Sequence, residues 1–221
     1  MNTIKAIVLS CDEYSKYTVH MLQTYYHFWP NNPFIFYIPW NIKYPKQLEN
    51  NYNVKLIRTE KPIYLTVLKL IENIPDNEWI YWCIDDKYLV NIDYKLVEDI
   101  FFNNLIVKSF NGISFTKKQK NASGKKSVIL NDKKFFIRNS WNTIWKHQFL
   151  RCGVIRYFFN NIKPVTVAKN MDKEKHNVKF NFDNMWLSEI GIMKLNESTR
   201  SGIITDNCKK SMGYFKWNQK I

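Results

Sequence analysis

The chain has 221 residues, 45% of them hydrophobic and 16% aromatic, with only 6 Gly and 7 Pro. That is enough to bury one full core, and it excludes collagenous and Gly/Pro-rich disordered classes. The 33 Lys and Arg against 19 Asp and Glu leave +14, a surplus drawn to phosphate on nucleic acid, anionic lipid or a nucleotide-bearing substrate. Cys11, Cys83, Cys152 and Cys208 are widely spaced, with no CxxC and no histidine at zinc spacing. Met1 to Lys5 leads directly into a short apolar run, Ala6 to Leu9. That run has neither the length of a signal-peptide core nor the roughly 20 apolar residues of a membrane span. The expectation is a cytoplasmic protein with free thiols.

Ile4 to Ser10 is a nearly continuous apolar run, as in a parallel strand covered on both faces. Ser10 and Asp12 offer helix-start chemistry, and Tyr14, Tyr17, Met21, Tyr25 and Phe28 follow near helical spacing. Trp29-Pro30-Asn31-Asn32-Pro33 ends that helix. Strands are expected at Phe34 to Ile38 and Val54 to Arg58, then a helix over Thr66 to Ile74. Trp79 to Ile84 is a further buried strand, rich in strand formers and too short for a core helix. The order predicts a Rossmann-like α/β sheet.

Past that point a helix is expected over Asp93 to Leu105, with strands at Gly112 to Thr116 and Val128 to Ile137. The lysine-rich segment Lys117 to Lys126 between them has the composition of a solvated loop. Helices are expected again at Trp141 to Phe149 and Asp183 to Ile190. The tail from Ser201 onward shows no clear period.

The most informative feature is where the strand Trp79 to Ile84 ends, in Asp85-Asp86. Two carboxylates there would stand at the sheet edge where α/β folds bind ligands. Adjacent carboxylates repel unless a cation or donor neutralises them, and an oxygen-liganded divalent metal is the usual solution. The plain alternative is that one Asp caps the next element and the other faces water. Neither GxGxxG nor GxxxxGK[ST] is present, so a nucleotide bound here would need a metal to carry its diphosphate.

Three pieces in order carry a family resemblance: Val8-Leu9-Ser10-Cys11-Asp12-Glu13-Tyr14, then Trp79 to Leu89 around Asp85-Asp86, then Trp141 to Leu150 with Trp186-Leu187-Ser188-Glu189 beyond. Together they resemble the small bacterial GT-A glycosyltransferases of capsule and O-antigen biosynthesis, in which Asp-Asp replaces the commoner Asp-X-Asp. The resemblance implies an α/β GT-A fold with a mostly parallel central sheet. One domain, 1–221, would comprise a nucleotide-sugar half, 1–92, and an acceptor half, 93–221. It implies transfer of a sugar from a nucleoside-diphosphate sugar, a UDP-sugar foremost, to a glycan or lipid-linked acceptor, with Mn²⁺ or Mg²⁺. Asp86 would hold the metal and Asp85 the donor. Ser10, Asp12 and Tyr14 would receive the nucleoside, and Thr66 or Lys69 would add polar donor contacts. Glu189, or in competition with it Asp183, would be the general base. Trp145, or its neighbour Trp141, would form a platform for the acceptor sugar. The chain departs from strict Asp-X-Asp at Lys87, a cation that would face the phosphates or water.

The lysines of 117–126 and Lys209-Lys210 would suit peripheral contact with an anionic inner-membrane surface. Nucleic acid is not expected as a partner. The alternatives are a metal-dependent nuclease or nucleic-acid binder, which the charge suits, and a non-catalytic sugar- or membrane-binding module, which the aromatics suit. No RRM, KH, helix-turn-helix or zinc pattern supports the first, and an intact Asp pair at a strand end argues against the second.

Overall fold

Alternation of side chains between two buried faces explains the first half of the molecule. In β1 (Ile4–Leu9), Ile4, Ala6 and Val8 enter one core, and Ile7 and Leu9 the other. In β4 (Trp79–Ile84), Tyr81 and Cys83 share the first face, Ile80 and Trp82 the second. With β2 (Phe34–Trp40) and β3 (Val54–Arg58), these strands pair in parallel in the order β3-β2-β1-β4. Helix α1 (Ser15–Phe28) covers the first face through Leu22 and Tyr25. Helix α2 (Ile63–Leu70), started by Pro62 rather than at Thr66, covers the second through Val67 and Leu70. The computed structural model describes residues 3–49, 52–117, 126–138, 144–162, 168–179, 182–200 and 202–215.

After Asp85-Asp86 the chain forms β5 (Lys87–Ile92), which pairs not with the main sheet but with β11 (Met193–Glu197) as an antiparallel ribbon. The helix expected over 93–105 is only α3 (Tyr94–Glu98), capped by Asp93, and it passes into a π-turn and a 3₁₀ turn. The main sheet continues through β6 (Gly112–Ser114), β7 (Ser127–Leu130), β8 (Lys133–Ile137), β9 (Gln148–Arg151) and β10 (Met185–Ser188). Its full order, nine strands, is β3-β2-β1-β4-β9-β6-β10-β8-β7. It is parallel through the first four strands and mixed beyond, because β9 runs antiparallel between β4 and β6. Helix α4 (Cys152–Asn161) joins α2 on the second face, and α5 (Ala168–Glu174) follows it. The chain closes with the β12 (Thr199–Arg200) and β13 (Ile203–Ile204) hairpin and α6 (Asp206–Tyr214). No helix among the described residues is long and apolar enough to cross a membrane.

Three expectations are corrected here. The single strand over Val128–Ile137 is a hairpin, turned by Asn131 and Asp132 at φ 45° and 59°, the positive values that a two-residue turn of this kind requires. The helix over Trp141–Phe149 is a turn at Ile144–Lys146 leading into β9, whose Phe149 and Leu150 enter opposite cores; Trp141 lies outside the described residues. The helix over Asp183–Ile190 is β10, with Trp186 and Met185 likewise facing opposite cores. Period-two burial won over a spacing that only looked helical.

Candidate active site

Strand β4 stops where its next two residues, Asp85 and Asp86, make the turn into β5. The Asp85 backbone N–H donates to the Leu9 carbonyl at 3.2 Å, which locks the turn to the end of β1. Asp85 is buried, its Oδ2 has no hydrogen-bond partner, and burial pushes its carboxyl well above the ordinary carboxylate range. The Asp86 charge pushes in the same direction, while a hydrogen bond from Ser10 opposes it. Asp86 is half-buried, and burial raises its pKa too, against the pull of Lys87. Burial and then the charge of Asp85 raise the Cys11 thiol and the Tyr14 hydroxyl, so both residues stand within the field of the pair. An unpartnered buried carboxylate oxygen is costly to a fold. Here it belongs to a residue at the carboxyl end of β4, the edge where α/β folds bind ligands.

The pair rests on a buried hydrogen-bond chain. His147 lies immediately before β9, with Nε2 2.9 Å from the Ile84 carbonyl oxygen and Nδ1 2.6 Å from the Tyr25 hydroxyl. The Tyr25 hydroxyl is in turn 2.7 Å from that of Tyr81. Burial lowers the His147 pKa to about 3, so the ring is neutral and serves as a strut behind the strand end. Lys146 sits on the other side of the turn. It is half-buried, and its pKa is lowered by burial and by the nearby charges of Arg138 and Lys87. Lys87 makes a 3.1 Å ion pair with Glu197 across the β5–β11 ribbon. From Lys87 an open groove of about 1610 Å³ runs between β11, the residues at 190–191 and the start of α6. Asp85 and Asp86 do not line it; they lie at its inner end, next to Lys87.

The other sequence candidates distribute unevenly. Asp12 is at the end of β1, but its carboxylate accepts backbone N–H bonds from Asn41, Ile42 and Lys43 at 2.9, 2.7 and 2.9 Å. It staples the loop after β2, and those bonds hold its pKa low. Thr66 bonds the Glu60 carbonyl at 2.6 Å. Lys69 pairs with Glu72 on exposed α2 and borders a separate depression with Arg58 and Thr59, so it is not brought to the pair. Trp145 is half-buried against the second core, one residue before Lys146, and not on a helix. Glu189 is exposed at the carboxyl end of β10, directly before the groove residue Ile190. Asp183 precedes β10 and so stands at the opposite, amino edge, where its carbonyl accepts from Asn111. About four strand residues, or roughly 13 Å, separate that edge from the carboxyl edge.

The sequence reading missed Lys146, His147 and Glu197 as members of this neighbourhood. The available sign for Glu197 was the alternation Met193-Lys194-Leu195, which marks a strand but not the strand it pairs with.

The oxygen donors fit a divalent ion that substrate completes. Among the described residues no group of three His, Cys, Asp or Glu could hold a metal unaided. Mg²⁺-type sites, however, commonly use one or two carboxylates plus substrate phosphates, and Asp86 with the unpartnered oxygen of Asp85 meets that requirement.

The sheet, parallel through β3-β2-β1-β4 and covered by helices on both faces, is a GT-A, Rossmann-like α/β fold. Among solved structures the chain is similar to S. aureus TarS 1-349, a GT-A-type glycosyltransferase, at 13% identity and TM-score 0.52, with 86% of this chain and 58% of that one covered. The longer S. aureus TarS structure aligns at 13% identity and TM-score 0.51, covering 84% of this chain and 34% of that one. The galactosyltransferase LgtC, in complex with donor and acceptor sugar analogues, gives 11% identity and TM-score 0.44 over 82% and 68% of the two chains. The chain thus spans little more than half of TarS 1-349, and at such identity the likeness to TarS speaks to the fold alone. No family model and no curated protein sequence matches the chain.

Proposed function

We propose that the protein is a glycosyltransferase that moves a sugar from a nucleoside-diphosphate sugar, a UDP-sugar foremost, to a glycan or lipid-linked acceptor. The observation that carries this is the Asp85–Asp86 turn, with its unpartnered buried oxygen, at the carboxyl edge of a GT-A sheet. Asp86, assisted by Asp85, holds Mn²⁺ or Mg²⁺, which when bound supplies Lewis-acid stabilisation of the leaving diphosphate. Lys87 and Lys146 add fixed positive charge to the same end of the groove. Their charge opposes the negative charge that develops as the sugar–phosphate bond breaks. Ser10 orients Asp85, and the Tyr14 ring stacks on the base.

Glu197 and Asp206 on the groove are held in ion pairs with Lys87 and Lys209. Glu189 has no such pair among the described residues, and it takes the acceptor proton as general base. Trp145, half-buried and one residue before the groove residue Lys146, is the residue we assign to the acceptor sugar, and water is kept out when donor and acceptor fill the groove. The lysines around the groove mouth and Lys210 bring the enzyme to an anionic leaflet.

The test is thermal stabilisation of the full chain by UDP with Mn²⁺, against UDP alone and against single-stranded RNA, followed by UDP release from a panel of UDP-sugars. Stabilisation by RNA without any response to UDP and Mn²⁺ would transfer the site to the nuclease reading.

A further inference from the structure

The groove carries more positive charge than donor binding uses. Lys87, Lys117, Lys146, Lys194, Arg200 and Lys209 line it, against the carboxylates Glu197 and Asp206. Both acids are already spent, on Lys87 at 3.1 Å and on Lys209 at 3.3 Å. Lys117, Lys146, Lys194 and Arg200 therefore have no carboxylate partner among the described residues. Lys146 stands beside Lys87 at the inner end.

Lys117 and Lys194 meet at the outer end. A backbone bridge from Thr116 to Met193 sets them next to each other, and both border Gly191. A Cβ added to that glycine would lie 3.6 Å from Lys117 Cβ and 3.7 Å from Lys194 Cγ. Like charges on neighbouring strands destabilise a fold, so this pairing brings no structural return of its own. Three strand positions separate Lys194 from Glu197, the partner of Lys87, which is about 10 Å of backbone at the usual rise. The outer cations form a second positive centre.

Two further features say what occupies it. At about 1610 Å³ the groove exceeds the roughly 300–1,000 Å³ of a site for one small ligand, so it suits an extended one. Among the described residues its lining includes the exposed Ile190 and Ile203 and no aromatic residue. Single-stranded nucleic acid is held on aromatic stacking platforms, which the described lining does not offer, whereas aliphatic side chains can pack on the C–H faces of sugar rings.

We infer that Lys117 and Lys194 form an anion subsite for the acceptor, which is a glycan bearing phosphate or carboxylate groups. The inference rests on the transferase reading and names the acceptor class of that same groove.

The test is fluorescence anisotropy with the full chain and four labelled probes of equal length: a phosphorylated maltooligosaccharide, an oligogalacturonate, a neutral maltooligosaccharide and single-stranded RNA. At least one charged glycan should bind about tenfold or more tightly than the neutral one, with the advantage lost as salt rises. Whichever charged glycan is preferred identifies phosphate or carboxylate. Lys117→Glu with Lys194→Glu should abolish the preference, and the milder Lys117→Ser with Lys194→Ser should reduce it about threefold or more. Equal binding of charged and neutral glycans, a preference that survives both double variants, or RNA binding tighter than either glycan overturns the subsite. UDP with Mn²⁺ on the same samples reads the inner end separately. Loss of that response with the glycan preference intact would count against the donor reading, not against the subsite.

Discussion

The two edges of the central sheet treat charge in opposite ways. At the amino edge, cations are spent on structure. Arg151 donates to the carbonyls of Asn77 and Lys108 at 2.6 Å and lies 4.4 Å over the Trp79 ring. Arg156 binds Asp76 at 2.7 Å and the carbonyls of Ile71 and Ile74 at 2.9 and 2.5 Å. At the carboxyl edge, among the described residues, Asp85 is buried with an unpartnered oxygen, and Lys117, Lys146, Lys194 and Arg200 have no carboxylate partner. A fold can satisfy its polar groups, as the amino edge does. Leaving a buried one unsatisfied, as at Asp85, costs stability; with exposed cations beside it, the carboxyl edge is the one we assign to a ligand.

The comparison breaks most sharply on turnover. Asp86→Ala should lower sugar transfer by about 10³-fold, since the lost electrostatic stabilisation is worth roughly 4 kcal/mol. Glu189→Gln should lower it by about 10² to 10⁴ while leaving the donor dissociation constant nearly unchanged, because a general base acts mainly in the transition state. Full turnover in both variants, measured as UDP release with acceptor present, would remove the carboxyl edge from the chemistry. On the amino edge the effect moves to stability. Arg151→Ala should cost about 2–4 kcal/mol in a urea titration through its lost carbonyl bonds and ring contact, with activity per folded molecule unchanged.

How much of this was legible before the structure follows the same division. β1, β2 and β4 are buried on both faces, so each reads as a nearly continuous apolar run, whereas the edge strand β3 carries Lys55 and Arg58 on its open side. Asp85-Asp86 was visible because it ends such a run. Beyond β5 the strands are short and their neighbours lie far along the chain. Gln148–Arg151 and Met185–Ser188 are four-residue strands, too short to show period two against a helical reading. Trp145, Trp186 and Glu189 were therefore placed on helices, where the chain instead forms a turn, a strand and a bend. Asp183 was grouped with Glu189 although a whole strand separates them. Glu197 reaches Lys87 only through the β5–β11 ribbon, a pairing across more than a hundred residues that no local pattern announces.

The buried strut beneath the carboxyl edge gives a pH test of intermediate size. His147 is neutral when folded, with its pKa lowered to about 3 from 6.5 chiefly by burial. The unfolded chain takes up its proton below about pH 6.5 and the folded chain does not, so this contribution is intact above 6.5 and is lost as pH falls toward 3. Its slope is up to about 1.4 kcal/mol per pH unit. Asp85 works in the opposite sense, since its pKa is raised, so the useful quantity is the difference between the parent and His147→Gln. Matching slopes between pH 6.5 and 4 would mean that the ring is not held neutral. Asp85→Asn probes the opposing term: it should gain about 1 kcal/mol at pH 7 by removing a poorly solvated charge. The gain should vanish below pH 3.8, where the parent carboxyl is protonated in both states, and the variant should lose turnover.

The smallest expected effect is the one that best separates the two edges. Asp183 and Glu189 lie six residues apart, and both are candidates for the acceptor's base, Glu189 the first and Asp183 the second. The structure puts β10 between them, so their carboxylates face opposite ends of the sheet. Asp183 is exposed, and its contribution to the local network is a backbone carbonyl, which accepts from Asn111 at 2.7 Å and survives any side-chain change. Asp183→Asn should therefore alter turnover by less than about twofold and stability by less than about 0.5 kcal/mol. Its near-silence beside a crippled Glu189→Gln would locate proton removal at the carboxyl edge. A large loss in Asp183→Asn at unchanged stability would place reacting groups at the amino edge, and the contrast between satisfied and unsatisfied charge would then no longer track function.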